Sequence, residues 1–191
     1  NQCSIIGDVK CSQILFDEIK KKGASYFISK TGHSHVKMNM KETQSDLAGE
    51  MSGHIFFREN NGFDDALFAS LKLIEILTDS KDRLSEIFDK VPKSFNTPEI
   101  RIDCDDSSKF KLIKEISIKQ RELKKNIIDI DGLRVSSSGG WWLLRASNTQ
   151  PCLVVRCEAE SKKGLVNQIN ELKQAIHEFS PEIASKINVE N

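Results

Sequence analysis

Along the first ninety residues, apolar and polar positions switch between a strand-like and a helix-like rhythm. Ile5 to Val9 reads as a strand, Ser12 to Lys22 as a helix and Tyr26 to Ser29 as another strand, which predicts an α/β layer with a mixed sheet and helices. Gly62-Phe-Asp-Asp65 then supplies cap residues. Beyond it, Leu67, Leu71, Ile74 and Leu77 recur at helical spacing and Phe68 widens the stripe, so a helix with a buried face is expected there. A short helix over Asp82 to Asp89 follows, and Pro92 and Pro98 bracket a polar stretch, Lys93 to Thr97, that reads as a linker.

Past the linker the period changes. Ile100, Ile102 and Cys104 alternate with charged neighbours as in a strand with one wet face. Lys109 to Gln120 reads as helix, Ile128 to Gly132 as a strand, Trp141 to Arg145 as another, and Val155, Cys157 and Ala159 mark one more. Leu165, Ile169, Leu172 and Ile176 repeat at steps of four and three, placing a last helix across the sheet. The expected order β-α-β-β-β-α makes a small α+β domain with a mainly antiparallel sheet. The 191 residues therefore divide into an α/β domain over 1–92, incomplete at its N-terminal side, and an α+β domain over 98–191.

Composition narrows the function classes. Lys plus Arg equals Asp plus Glu at 28 each, which argues against holding nucleic acid or an anionic membrane by bulk positive charge. Five cysteines without a Cys-x-x-Cys signal neither a disulfide framework nor a zinc knuckle, and reduced thiols in a cytoplasmic protein are the default. No stretch reads as a signal peptide or a membrane span. Asn1 is not methionine and a strand follows almost at once, so a piece of a longer protein is expected.

Three segments carry candidate chemistry. Arg145-Ala-Ser-Asn-Thr-Gln-Pro151 sits between two apolar strands. Its guanidinium fork, two hydroxyls and inward backbone N–H groups suit the three oxygens of a phosphate, although a plain polar turn has the same composition. In Ala48-Gly-Glu-Met-Ser-Gly-His54, glycines flank Glu50 and Ser52 and permit close approach to vicinal sugar hydroxyls, and His54 is able to move a proton near neutral pH. A glycine-rich turn with a solvated carboxylate is the plainer reading. In Lys30-Thr-Gly-His-Ser-His35 no third ligand with recognisable spacing joins the histidines, so a metal site is not assigned. A cap by Ser34, or anion contact by Lys30 and His33, is more economical. Lys10 reads equally as an ordinary surface lysine. Of Trp141 and Trp142, one is expected in the core and the other beside the loop.

Read in order, Gly7-Asp-Val-Lys-Cys11, Lys30-Thr-Gly-His-Ser34, Gly49-Glu-Met-Ser-Gly-His54, Gly62-Phe-Asp-Asp65 and Arg145-Ala-Ser-Asn-Thr149 resemble the back half of an α-D-phosphohexomutase of the bacterial phosphomannomutase/phosphoglucomutase branch. The resemblance spans nearly the whole chain: most of a third domain that reads the sugar, and all of a fourth that binds phosphate. It implies that Glu50 and Ser52 hold sugar hydroxyls, that Lys10 and His33 add substrate contacts and that His54 is a candidate general acid/base. It further implies that Arg145, Ser147, Asn148 and Thr149 grip the non-reacting phosphate. Met51 and Ser147-Asn-Thr-Gln150 favour the mannose/glucose branch over phosphoglucosamine mutases.

The family's phosphoserine pattern Ser-His-Asn-Pro and magnesium pattern Asp-Gly-Asp-x-Asp-Arg do not occur in this sequence. The resemblance thus implies Mg²⁺ bound outside this chain and no cofactor within it. It also implies a phosphosugar substrate, N-terminal domains of the same protein as partner, and no turnover by this piece alone. The competing expectation is a free-standing, non-catalytic phosphosugar-binding or interaction module.

Overall fold

In the computed structural model, which describes residues 3–187, β1 (Ser4–Asp8) is an inner strand, second from one edge of a five-stranded sheet. Asn1, on which the expectation of a longer protein rested, lies outside the described residues. Ser12 accepts from the Ile14 N–H and starts α1 (Gln13–Lys21), which returns the chain to β2 (Ser25–Ser29). Next, α2 (His33–Thr43) crosses to β3 (Leu47–Gly49), and β4 (Ile55–Phe57) and β5 (Phe63–Asp64) close the sheet. The order β2-β1-β3-β4-β5 has parallel pairs around β1 and antiparallel pairs beyond β3.

Helices cover both faces of this sheet. Ile6 packs with Val36 and Met40 of α2, together with Ala48 and Phe56. Gly7 points the other way, where a Cβ would sit 2.7 Å from the Phe16 ring of α1, so only glycine permits that approach. From β1 the chain steps to one side and then crosses back to the other. That reversal leaves a crevice beyond the carboxyl ends of β1 and β3, where ligands of open α/β sheets bind.

Two expectations for this unit are corrected. Asp65 does cap α3 (Ala66–Asp79), accepting from the Leu67 and Phe68 N–H groups, but the apolar stripe is not buried. Leu67, Leu71 and Ile74 are 80%, 65% and 57% exposed. The helix touches the sheet through Phe68 on Phe57, with ring centroids 5.2 Å apart, and no described residue covers the rest. Ser34 is not a cap either, because α2 starts one residue earlier with Gly32 at its N-cap. A short α4 (Leu84–Asp89) completes the unit.

The chain divides between Lys93 and Ser94 into two units. Part of the expected linker is a strand, β6 (Phe95–Asn96), pairing with Ala159 and Glu158. The second unit continues with β7 (Ile100–Asp103), α5 (Asp106–Glu122), β8 (Asn126–Ile128), β9 (Leu133–Ser137), β10 (Gly140–Ala146), β11 (Cys152–Ala159), α6 (Lys162–His177) and α7 (Pro181–Ser185). Its antiparallel sheet runs β6-β11-β10-β9-β8, with β7 also on β11. The strand β9 lies beyond the expected order, and the expected strand over Ile128 to Gly132 stops at Ile128.

Leu133, Val135, Trp142, Leu144, Leu153, Val155 and Cys157 form the core face, covered by Leu112 and Ile116 of α5 and Leu172 and Ile176 of α6. Both tryptophans are buried, Trp142 within this core. Trp141 lies on the opposite face. Arg134 stacks 3.7 Å from one Trp141 ring centroid, and the indole Nε1–H donates to Glu158 Oε1 at 3.1 Å.

Candidate functional site

In the first unit, the crevice is built on Asp8, fully buried at the end of β1. Its Oδ1 accepts from the Met51 N–H at 3.3 Å and Cys11 Sγ at 3.1 Å, and its Oδ2 from Thr31 Oγ1 at 3.0 Å. One carboxylate thus ties β1 to the loop before α2 and to the turn after β3. Asp8 was missed as a site residue, and its signal was a lone acid closing an apolar strand.

Glu50 follows β3 and is 3% exposed at its side chain. Its Oε1 accepts from the Gly32 N–H at 2.6 Å, which places the charge at the amino end of α2 where the helix dipole stabilises it. Oε2 lies 3.7 Å from His33 Nε2. The turn carrying it is tight: Glu50 N–H donates to His54 O at 3.0 Å, and Gly53 N–H to Glu50 O at 2.9 Å. Gly53 takes φ +92° there, which a residue with a Cβ would resist. His54 therefore returns beside Glu50, while Ser52 stands exposed at the tip of the turn.

The His54 Nδ1–H donates to Asp64 Oδ2 at 2.6 Å, and His33 Nε2 stands 3.5 Å from the same oxygen. Since a carboxylate only accepts, this pair leaves His54 Nε2 as the nitrogen able to take a proton. The two imidazoles meet edge to face at 4.3 Å, and His33 also rests its edge on Phe56 at 5.3 Å. The fold thus brings His33, Glu50 and His54 together and adds Asp64, which sequence reasoning had used only as part of a helix start. Lys10 is buried just beyond β1 rather than being an exposed lysine.

In the second unit, β10 ends at Arg145-Ala146 and the loop to β11 carries Ser147, Asn148 and Thr149. Arg145 and Ser147 are buried; Asn148 and Thr149 are exposed. The Arg145 Nε–H donates to Asp131 Oδ2 at 2.7 Å, an ion pair made through Nε rather than through either Nη group. Ser147 Oγ accepts from the Gln150 N–H at 3.2 Å and the Thr149 N–H at 3.4 Å, so the hydroxyl shapes the turn and its proton remains to be donated.

Lys109 of α5 was not foreseen at all. Its buried Nζ donates to the Ser147 carbonyl at 2.6 Å and the Gln150 carbonyl at 2.9 Å, with Asp106 as counter-ion. The lysine thus ties both ends of the loop to α5, while the Thr149 and Gln150 N–H groups are held by Ser147 Oγ. Beside the loop is a hollow of about 370 Å³ lined in part by Lys114, Arg121, Asp131, Gly132 and Asn148.

The magnesium implied by the resemblance needs hard oxygen ligands in an octahedron. Among the described residues, the group with metal-ligating spacing is His33, Glu50 and His54, a nitrogen-rich set that does not fit magnesium.

Comparison with known proteins agrees with this architecture. The family model for phosphoglucomutase/phosphomannomutase, alpha/beta/alpha domain III, matches residues 1–95, and that for the C-terminal domain matches residues 99–175. The chain is 41% identical over 180 residues to a phosphomannomutase/phosphoglucomutase of Pseudomonas putida, covering 94% of this chain and 39% of the relative. It is 43% identical over 182 residues to a phosphoglucomutase of Neisseria gonorrhoeae, with the same coverage. A crystal structure of a phosphoglucomutase/phosphomannomutase family protein from Burkholderia thailandensis superposes with a TM-score of 0.84 at 35% identity, covering 98% of this chain and 39% of that one.

A mixed α/β unit followed by an antiparallel α+β unit, matched in that order, is the third and fourth domain of the α-D-phosphohexomutase superfamily. The chain belongs to the phosphoglucomutase/phosphomannomutase family. It spans about 39% of the length of the curated relatives it matches.

Proposed function

We propose that this chain is the substrate-recognition part of a phosphohexomutase that interconverts hexose 1-phosphate and hexose 6-phosphate of the mannose/glucose type. The full-length enzyme would pass a phosphoryl group to the sugar, giving a bisphosphorylated intermediate that reorients and returns the other phosphate. That reaction needs the sugar to be accepted in two orientations. Glu50 and Ser52 would read hydroxyls, with Lys10 and His33 as further contacts and His54 Nε2 exchanging a proton. Arg145, Ser147, Asn148 and Thr149 would fix whichever phosphate is not reacting, so that both orientations are served by positioning alone.

The observation that carries this reading is the buried Arg145–Asp131 pair beside a loop whose carbonyls are drawn back by Lys109. The phosphoserine and the Mg²⁺, which offsets developing charge on the transferring group, would come from segments with the sequence patterns missing here. The piece alone would bind without turning over. No described helix is long and apolar enough to cross a membrane, and all five cysteines are free thiols, which supports a reducing, cytoplasmic setting for the enzyme.

Titration of the chain with glucose 1-phosphate or mannose 1-phosphate, followed by NMR, tests the reading. Shifts are expected at Arg145 to Thr149 with a dissociation constant near millimolar, since about 1.5–3 kcal/mol per charged hydrogen bond is offset by ordering costs. Arg145→Ala should abolish them; unchanged binding in that variant would overturn the assignment.

A further inference from the structure

We propose that His33, Glu50 and His54, with Asp64 beside them, form a binding site for a transition-metal dication of the zinc class. The ligand atoms of His33, Glu50 and His54 all lie within 4.8 Å of one another. A triangle with such sides has its centre no more than about 2.8 Å from each corner, and zinc bonds run about 2.0–2.2 Å. Closing that gap takes shifts below about 1 Å, and both imidazoles are nearly half exposed, at 47% and 45%, and able to tilt.

Asp64 stands beside the set, on the side of the two imidazoles. Its Oδ2 stands 3.5 Å from His33 Nε2, close to the edge of about 3.3–3.5 Å that a tetrahedron of zinc-length bonds requires. Its short contact with His54 Nδ1 holds a proton that a metal would displace. Two imidazoles with carboxylates are the borderline donor set that takes zinc, cobalt or nickel, whereas magnesium and calcium select oxygen. Glu50 is already oriented for this by Gly32, which occupies Oε1 and leaves Oε2 on the His33 side.

The site stands on this geometry alone. Its consequence, exclusion of sugar by the bound metal, rests on the proposed function, because the metal would occupy the same Glu50 and His54 side chains.

Cobalt(II) titration of this chain in a Cys3→Ser background, which removes the exposed thiol, reads metal binding without any sugar. One equivalent should give the intense visible bands of a four- or five-coordinate ion, displaced by zinc and indifferent to magnesium. His33→Ala and His54→Gln should each weaken binding at least tenfold, and His35→Ala should not. Independently of any variant, zinc should shift two of the four histidine ring signals in the proton spectrum, those of His33 and His54. A featureless cobalt spectrum at saturating metal, or zinc shifts confined to His35 or His177, would sink the proposal. Failure of phosphosugar binding would leave it untouched.

Discussion

Asp131 receives the Nε–H of Arg145 at 2.7 Å, and the two side chains are only 11% and 10% exposed. An arginine held at Nε keeps its planar fork in one orientation, which is what bidentate grip of a phosphate demands. Removing one partner strands a largely buried charge. Asp131→Ala should therefore destabilise the second unit by about 2–4 kcal/mol, toward the lower end of the range for buried pairs because some solvent reaches them. It should also weaken phosphosugar binding, with Asp131→Asn intermediate in both. Urea denaturation and NMR titration check this, and an Asp131→Ala protein with unchanged stability and affinity would refute the coupling.

Lys109 draws the Ser147 and Gln150 carbonyls toward α5. In Lys109→Met the aliphatic stem is nearly preserved, while the buried Ser147 carbonyl loses its lysine donor and the Gln150 carbonyl keeps only the Cys152 N–H. The expected outcome is a loss of about 1–3 kcal/mol together with faster hydrogen exchange at the amides of residues 147–150. Phosphate-sugar affinity should fall although no contact residue has changed. Exchange rates at those amides equal to those of the parent protein would show that the lysine does not hold the loop.

Gly132 links Asp131 to β9. It takes φ +81°, and a Cβ there would lie 2.5 Å from the Leu144 carbonyl oxygen and 2.7 Å from Arg145 Cα. Backbone cannot retreat as a side-chain tip can. Gly132→Ala should cost more than about 2 kcal/mol, from strain at positive φ added to overpacking. Because the obstruction pushes on Arg145 itself, affinity for the phosphosugar should fall as well. A thermal midpoint within a degree of the parent protein would contradict the packing described.

Much of the fold was legible because periodicity reports burial. The stripe Leu165, Ile169, Leu172, Ile176, the apolar run from Ile5 and the alternation in β7 and β11 correspond to real elements. The same rule misled at α3, whose stripe lies in solvent: periodicity shows an apolar face but not that something covers it. In β9 Leu133 and Val135 alternate with Arg134, which the pattern alone would place in solvent but which is buried on the opposite face against Trp141 of β10. The Phe95–Asn96 strand was hidden by flanking prolines. At the site, motifs exposed Glu50, His54 and Arg145. Asp8, Asp131 and Lys109 act through other residues, and long-range hydrogen bonds leave no local pattern in a sequence.

Burial pushes the Cys157 thiol up to about 12 from 9.0. Below pH 9 the thiol is protonated in both folded and unfolded chains, so its contribution is fully present and constant. As pH rises above 9 the unfolded chain releases the proton while the folded one keeps it, so folding stability falls by about 1.4 kcal/mol per pH unit until the folded value is passed. Lysines titrate over part of this range and contribute their own slope. Comparison with Cys157→Ala isolates the thiol, since the cavity that substitution leaves shifts stability equally at every pH. Urea unfolding at pH 8 and pH 10 should show the parent protein losing about 1 kcal/mol more than the variant across that interval. Parallel losses in the two proteins would mean that the thiol ionises as readily inside the sheet as outside it, and the packing of Trp142, Val155 and Leu172 around it would then have to admit water.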